Sequence, residues 1–130
     1  MAYRIYLVDD DRFLLDLYAV KFKNAGHEVA VFPGGEEVLA ELRKKETAPD
    51  AILLDLIMPG TDGFGVLEAI HKENLAPKTS IIILSNQGQE SDLEKAKSLG
   101  AAGYIIKASA IPSEVLAQTL STIESGHRSK

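Results

Sequence analysis

The chain has 130 residues, of which 45% are apolar and 25% charged, with no cysteine and a net charge of −5. This is the length of one domain, enough to bury about two-thirds of the surface its unfolded form exposes, and the missing thiols exclude disulfides, thiolate zinc sites and cysteine nucleophiles. The acidic balance argues against a broad nucleic-acid footprint, and no apolar run approaches the roughly 18 residues that span a bilayer.

The first apolar, β-branched run is Ile5 to Val8, and the helical stretch after it places Leu14, Leu17, Tyr18 and Phe22 on one face before Gly26. Val29 to Phe32 is the second run, followed by a helix with Val38, Leu39 and Leu42 inward. Ala51 to Leu54 comes third, with Leu67 and Ile70 on the next helix. Ile81 to Leu84 precedes a helix carrying Leu93, Ala96 and Leu99; Ser91 stands three before Glu94, a capping-box spacing, and Gly100 follows. Tyr104 to Ile106 is the fifth run, Pro112 opens the last helix, Leu116, Leu120 and Ile123 line it, and Gly126 is expected to close it. Short, near-continuous apolar runs suit strands buried on both faces of a parallel sheet. Five strands alternating with five helices predict a (βα)5 doubly wound α/β fold. The expected domain covers residues 1–125, with 126–130 a tail or the start of a linker. The chain could stand alone or be part of a longer one. An N-terminus unlike a signal peptide, from Met1 to Tyr6, suggests a cytoplasmic protein without membrane contact.

Ligands of open α/β sheets bind beyond the carboxyl ends of the strands. The first run leads into Asp9, Asp10 and Asp11, the third into Asp55, the fourth into Ser85 and Asn86, and the fifth into Lys107. Singly these have ordinary readings: Asp11 as a helix cap, Asp55 as a turn former, Ser85 as a cap, Lys107 as a solvated charge. On one sheet edge they become a charge problem. If the first and third strands are neighbours, Asp9, Asp10 and Asp55 lie close together, and like charges about 4 Å apart repel by roughly 4 kcal/mol at an intermediate dielectric. Such a cluster needs a cation or must give up ionisation. Hard oxygen ligands point to Mg²⁺, with Mn²⁺ as a substitute. His27, His71 and His127 are scattered and read as surface residues. Lys107 and Ser85 would complete a cradle for phosphoryl oxygens around Asp55, a carboxylate able to act as nucleophile.

Val8-Asp9-Asp10-Asp11, Leu53 to Gly60, Asp62-Gly63, Leu84-Ser85-Asn86 and Gly103 to Lys107 occur in this order. With them the chain resembles the CheY-like receiver domains of two-component response regulators from about residue 3 to residue 125. The resemblance implies a flavodoxin-like sheet of order 2-1-3-4-5. It implies that Asp55 takes a phosphoryl group from a histidine kinase or phosphotransfer domain, and that Asp9, Asp10, Asp55 and the Ile57 backbone carbonyl hold Mg²⁺. Ser85 and Lys107 would bind the phosphoryl oxygens, and Pro59 and Gly60 would shape the loop. Ser85 and Tyr104 would act as switch residues, changing the surface of the fourth helix, fifth strand and fifth helix that a downstream protein reads. Ile57 and Gln87 would tune self-catalysed hydrolysis. The family's usual proline after the strand-five lysine is Ala108 here, which argues against a cis bond. Asp62 reads as a plain cap of the third helix.

In this family the first helix faces the phosphodonor, which makes Leu15 and Ala19 candidates for docking. The expected state is a monomer or a phosphorylation-dependent dimer that signals through protein contacts rather than by direct nucleic-acid binding. The chain reads as a switch rather than an enzyme. A haloacid-dehalogenase-type phosphatase would want a second acid where Ile57 stands, and the three aspartates after the first strand would repel a flavin phosphate. A receiver-like binding module that is never phosphorylated is disfavoured by the presence of all five residues Asp9, Asp10, Asp55, Ser85 and Lys107.

Overall fold

Strands and helices alternate along the chain: β1 (Arg4–Val8), α1 (Arg12–Asn24), β2 (Glu28–Phe32), α2 (Gly35–Arg43), β3 (Ala51–Asp55), α3 (Gly63–Glu73), β4 (Ser80–Ser85), α4 (Glu90–Ser98), β5 (Gly103–Ile106) and α5 (Pro112–Arg128). This is a computed structural model, which describes residues 2–44, 48–56, 62–85, 90–107 and 111–128. All five strands are parallel, in the order β2-β1-β3-β4-β5. Each apolar run predicted from the sequence is one of these strands, and the doubly wound topology is as expected.

Side chains alternate across the sheet, so each strand feeds two cores. Tyr6, Val8, Ile52, Leu54 and Ile83 pack with Val38, Leu39 and Leu42 of α2, Val66, Leu67 and Ile70 of α3 and Ala96 of α4. Ile5, Leu7, Leu53, Ile82 and Leu84 pack on the other face with α1 and with Val115 and Ile123 of α5. Full burial of one such side chain contributes about 1.5–3 kcal/mol. α4 is the exception among the helices. Ala96 is its fully buried apolar residue, Leu93 is half-buried, and the Lys95 ammonium sits 4.6 Å from the centre of the Phe64 ring on α3.

The helix ends follow from local chemistry. Asp11 caps α1 by accepting from the Phe13 and Leu14 amides at 3.1 and 3.3 Å, and Asp62 caps α3 through the Gly65 amide at 2.9 Å. Gly26 and Gly100, just past α1 and α4, have φ of +93° and +99°, a conformation glycine adopts at little cost. Pro112 opens α5 as predicted, with Glu114 accepting from the Ile111 amide at 3.0 Å.

Four local expectations change. α4 starts at Glu90, so Ser91 lies in its first turn rather than ahead of it. α5 runs through Gly126 to Arg128, because one glycine weakens a helix by about 1 kcal/mol without ending it. His27 is not on the surface: it is 8% exposed, its Nδ1 accepts from the Tyr3 amide at 3.0 Å, and its ring stacks on Tyr3. Finally, α1 buries Leu15, Tyr18, Ala19 and Phe22. A stripe through Leu14 and Leu17 would lead to Lys21, whereas the stripe through Leu15 leads to Ala19 and Phe22 and stays apolar. Leu15 and Ala19 are therefore core residues, not docking residues. The outward crest of α1, opposite that core, carries Phe13, Leu17 and Val20, which are 75%, 43% and 57% exposed.

Candidate functional site

Adjacent parallel strands with matched register end at the same level, and this builds the site. Val8 pairs with Leu54, so Asp9 and Asp55 follow side by side on β1 and β3. Asp55 pairs with Leu84, and Ser85 ends β4 opposite Ile106, the residue before Lys107. Asp9, Asp55 and Ser85 are buried, while Asp10 and Asp11 are exposed at the rim.

The Lys107 ammonium bridges the two buried acids, 2.8 Å from Asp9 Oδ2 and 3.1 Å from Asp55 Oδ1, with its side chain 9% exposed. The other Asp9 oxygen accepts from the Asp11 amide at 3.0 Å, which links the acid to the start of α1. One ammonium does not neutralise the cluster. Burial, and next the charge of Asp9, raise the Asp55 carboxyl from 3.8 to about 6, against the opposing pull of Lys107. Burial disfavours the Lys107 charge, but its hydrogen bond to Asp9 and the charges of Asp55 and Asp9 outweigh that and leave its pKa raised.

Asp9, Asp10 and Asp55 each present a carboxylate oxygen, and these oxygens lie within 4.8 Å of one another. Three hard anionic ligands, one of them reluctant to ionise beside the others, form a donor set compatible with a hard divalent cation. Three predicted site residues are thus brought together with Lys107, and Ser85 ends the strand next to Asp55. Tyr104 lies one strand further out, opposite Ile83, half-buried against the α2–α3–α4 core. Tyr104 lines a cavity of about 50 Å³ together with Leu93 and Ala96 of α4. Ile57, Pro59, Gly60, Asn86, Gln87 and Ala108 lie outside the described residues.

Two neighbours of the site escaped the sequence reading. Tyr18 on α1 is 3% exposed and lies within electrostatic reach of Lys107, Asp9 and Asp11, with burial raising its phenol pKa. Gly63, the first residue of α3, packs on the backbone of Asp55 and Leu56. The Asp-Gly pair at 62–63 was the available signal for the second; nothing in the sequence signalled the first.

Residues 5–119 match the response regulator receiver domain family. The chain is 33% identical over 107 residues to the regulatory protein VanRc of Enterococcus gallinarum, covering 82% of this chain and 44% of that protein. It is 32% identical over 107 residues to the DNA-binding response regulator MtrA of Mycobacterium tuberculosis, covering 82% and 45%. Among solved structures it is similar to a CheY-like receiver domain protein of Methanospirillum hungatei, with a TM-score of 0.88, 25% identity and all of both chains covered. Chemotaxis protein CheY4 of Vibrio cholerae shares the fold, with a TM-score of 0.84 and 24% identity over 94% of this chain and 99% of that one. The chain belongs to the response regulator receiver domain family, the signalling module of two-component systems. It spans less than half the length of these curated relatives. Among the described residues no helix is long and apolar enough to cross a membrane.

Proposed function

We propose that this domain accepts a phosphoryl group on Asp55 from the phosphohistidine of a histidine kinase or phosphotransfer domain, in a Mg²⁺-dependent reaction. The observation that carries this reading is the buried Asp9–Lys107–Asp55 cluster with Asp10 at its rim. In the transfer an Asp55 carboxylate oxygen attacks phosphorus, the phosphorus–nitrogen bond breaks, and its electron pair returns to the donor imidazole. Lys107, already held at the carboxylate, faces the incoming phosphoryl oxygens as a fixed positive charge, and Ser85 offers its hydroxyl from β4. Asp9, Asp10 and Asp55 are the residues that would hold Mg²⁺, which when bound supplies charge neutralisation for the phosphoryl oxygens. The Ile57 carbonyl is proposed as a further ligand by resemblance alone.

The proposal extends to the output. A phosphoryl group at Asp55 draws Ser85, and Tyr104 turns inward beside α4, which changes the α4–β5–α5 surface that a downstream protein reads. The scant burial of α4 and the cavity that α4 and Tyr104 line support this reading. A local charge then biases a packing element with two arrangements.

Intact mass after incubation with acetyl phosphate tests the acceptor. Wild type with Mg²⁺ is expected to gain one phosphoryl group, and Asp55→Asn, or wild type in chelator, to gain none. An increment retained by Asp55→Asn, or none in wild type with Mg²⁺, would sink the reading.

The donor docks on the crest of α1 in this proposal. Phe13→Ala and Leu17→Ala are expected to slow transfer from the cognate kinase by roughly tenfold, as loss of an interface anchor would, while uptake from acetyl phosphate is unchanged. Stability should move by about 0.5 kcal/mol or less because both side chains are exposed, whereas Leu15→Ala should cost about 2–4 kcal/mol. Equal slowing with both donors would remove the docking role.

A further inference from the structure

Gly63 at the start of α3 touches the chain at Asp55 and Leu56, the last residue of β3 and the one after it. The Gly63 amide donates to the Leu56 carbonyl at 2.9 Å, and Gly63 is buried. A methyl group on Gly63 would overlap the Asp55 carbonyl oxygen and stand 2.6 Å from Leu56 Cα and 3.0 Å from the Asp55 carbonyl carbon. These are backbone atoms, so no rotamer change relieves the clash. At Gly103, by contrast, an added methyl would meet the Ile82 side chain at 3.5 Å, an ordinary contact. Nor is Gly63 needed for an unusual backbone conformation, since Gly26 and Gly100 are the positive-φ glycines among the described residues. What it supplies is closeness.

We propose that Gly63 is a positioning residue for the acceptor site: by having no side chain it lets the amino end of α3 rest on the Asp55–Leu56 backbone, and that contact fixes the Asp55 carboxylate against Asp9 and Lys107. The inference rests on Asp55 being the acceptor. Mechanically, both partners of the contact are anchored elsewhere. α3 is held by buried Val66, Leu67 and Ile70 and by its Asp62 cap, and β3 is paired on both sides. A wedge between them is relieved where the chain is free of ladder pairing, at Leu56 and the carboxyl end of Asp55. The side chain displaced is the one whose 3.1 Å contact with Lys107 and proximity to Asp9 and Asp10 define the site. Misplacement by about 1 Å costs on the order of 100-fold in a reaction governed by alignment.

The test compares Gly63→Ala with Val66→Ala, which truncates a buried core side chain of the same helix and leaves residue 63 without a side chain. Three quantities are read: the rate of phosphoryl uptake from acetyl phosphate, Mg²⁺ affinity by calorimetry, and the melting temperature. Gly63→Ala is expected to lose roughly 10–100-fold in rate and about tenfold in Mg²⁺ affinity. Val66→Ala should melt lower but keep both within about twofold below its melting transition. A Gly63→Ala protein with wild-type rate and affinity, or equal losses in both variants, overturns the inference.

If Gly63→Ala does not fold, hydrogen exchange in the wild type decides. Coupling is reciprocal, so saturating Mg²⁺ must raise protection of the Gly63 amide, and unchanged protection overturns the inference. Wild type that takes up no phosphoryl group while Gly63→Ala still weakens Mg²⁺ binding would defeat the acceptor reading and support the positioning role.

Discussion

Asp55→Asn is expected to stabilise the metal-free protein at neutral pH by about 1–2 kcal/mol, even as it removes the proposed phosphorylation site. A carboxyl held at about 6 instead of 3.8 binds its proton more readily in the folded than in the unfolded chain. The stability it contributes is therefore fully present below pH 3.8 and is lost as pH rises through about 6. At pH 7 the folded state thus bears the cost of ionising a buried Asp55, and next of doing so beside Asp9 and Asp10. Without screening the shift would correspond to about 3 kcal/mol, and the site's partial access to water reduces this to the stated range. Asparagine keeps the shape and an acceptor for Lys107 while removing the charge. The melting temperature in chelator should rise by about 4–8 °C at pH 7.5, with the gap to wild type closing toward pH 4 as Asp55 itself protonates. Mg²⁺ should reverse the order, since an ion that binds only the folded state stabilises the protein with the full ligand set more. Equal melting of the two proteins in chelator at pH 7.5 would mean that the acids do not strain the fold.

Lys107→Met should have the opposite sign and a larger size. It leaves Asp9 and Asp55 buried without the ammonium that bridges them at 2.8 and 3.1 Å. Breaking a buried pair by removing one partner costs about 3–5 kcal/mol in general; protonation of Asp55 gives partial relief, so about 2–4 kcal/mol is expected here. Denaturant titrations in chelator at pH 7.5 measure it. The loss should shrink with acid and with Mg²⁺. In Asp55→Asn/Lys107→Met it should be smaller than in Lys107→Met alone, because one of the stranded charges is gone. A Lys107→Met protein of wild-type stability in chelator would show that the lysine contributes reach rather than charge balance.

The strands and the acids were legible in the sequence for a common reason. A strand buried on both faces is written as an unbroken apolar run, so the first polar residue after it marks the sheet edge; Asp9, Asp55, Ser85 and Lys107 stand at that mark, Asp55 and Ser85 as the last residues of β3 and β4. What could not be read depends on which surfaces meet. α1 carries two apolar stripes, and only packing against the sheet selects Leu15, Tyr18, Ala19 and Phe22 over the crest of Phe13, Leu17 and Val20. His27 sits between Gly26 and Glu28, a context that reads as a turn, and its burial comes from Tyr3, 24 residues away. α3 ends on Asn74 at φ 53°, a left-handed position where asparagine substitutes for glycine without a distinctive pattern around it. The role of Gly63 required the Asp55 carbonyl to be in place.

Ala96 is the one fully buried apolar side chain of α4 among the described residues, beside a half-buried Leu93 and the Lys95–Phe64 contact, and this has a consequence for how the molecule divides its free energy. A helix attached so lightly is expected to detach at a fraction of the cost of global unfolding, which hydrogen exchange of the α4 amides would read as protection well below that of the strands. Shifting the detached population tenfold takes about 1.4 kcal/mol, which is small beside the electrostatic energies gathered around Asp55. In the proposed switch, the sheet and its two cores would hold still while one loosely moored helix moved.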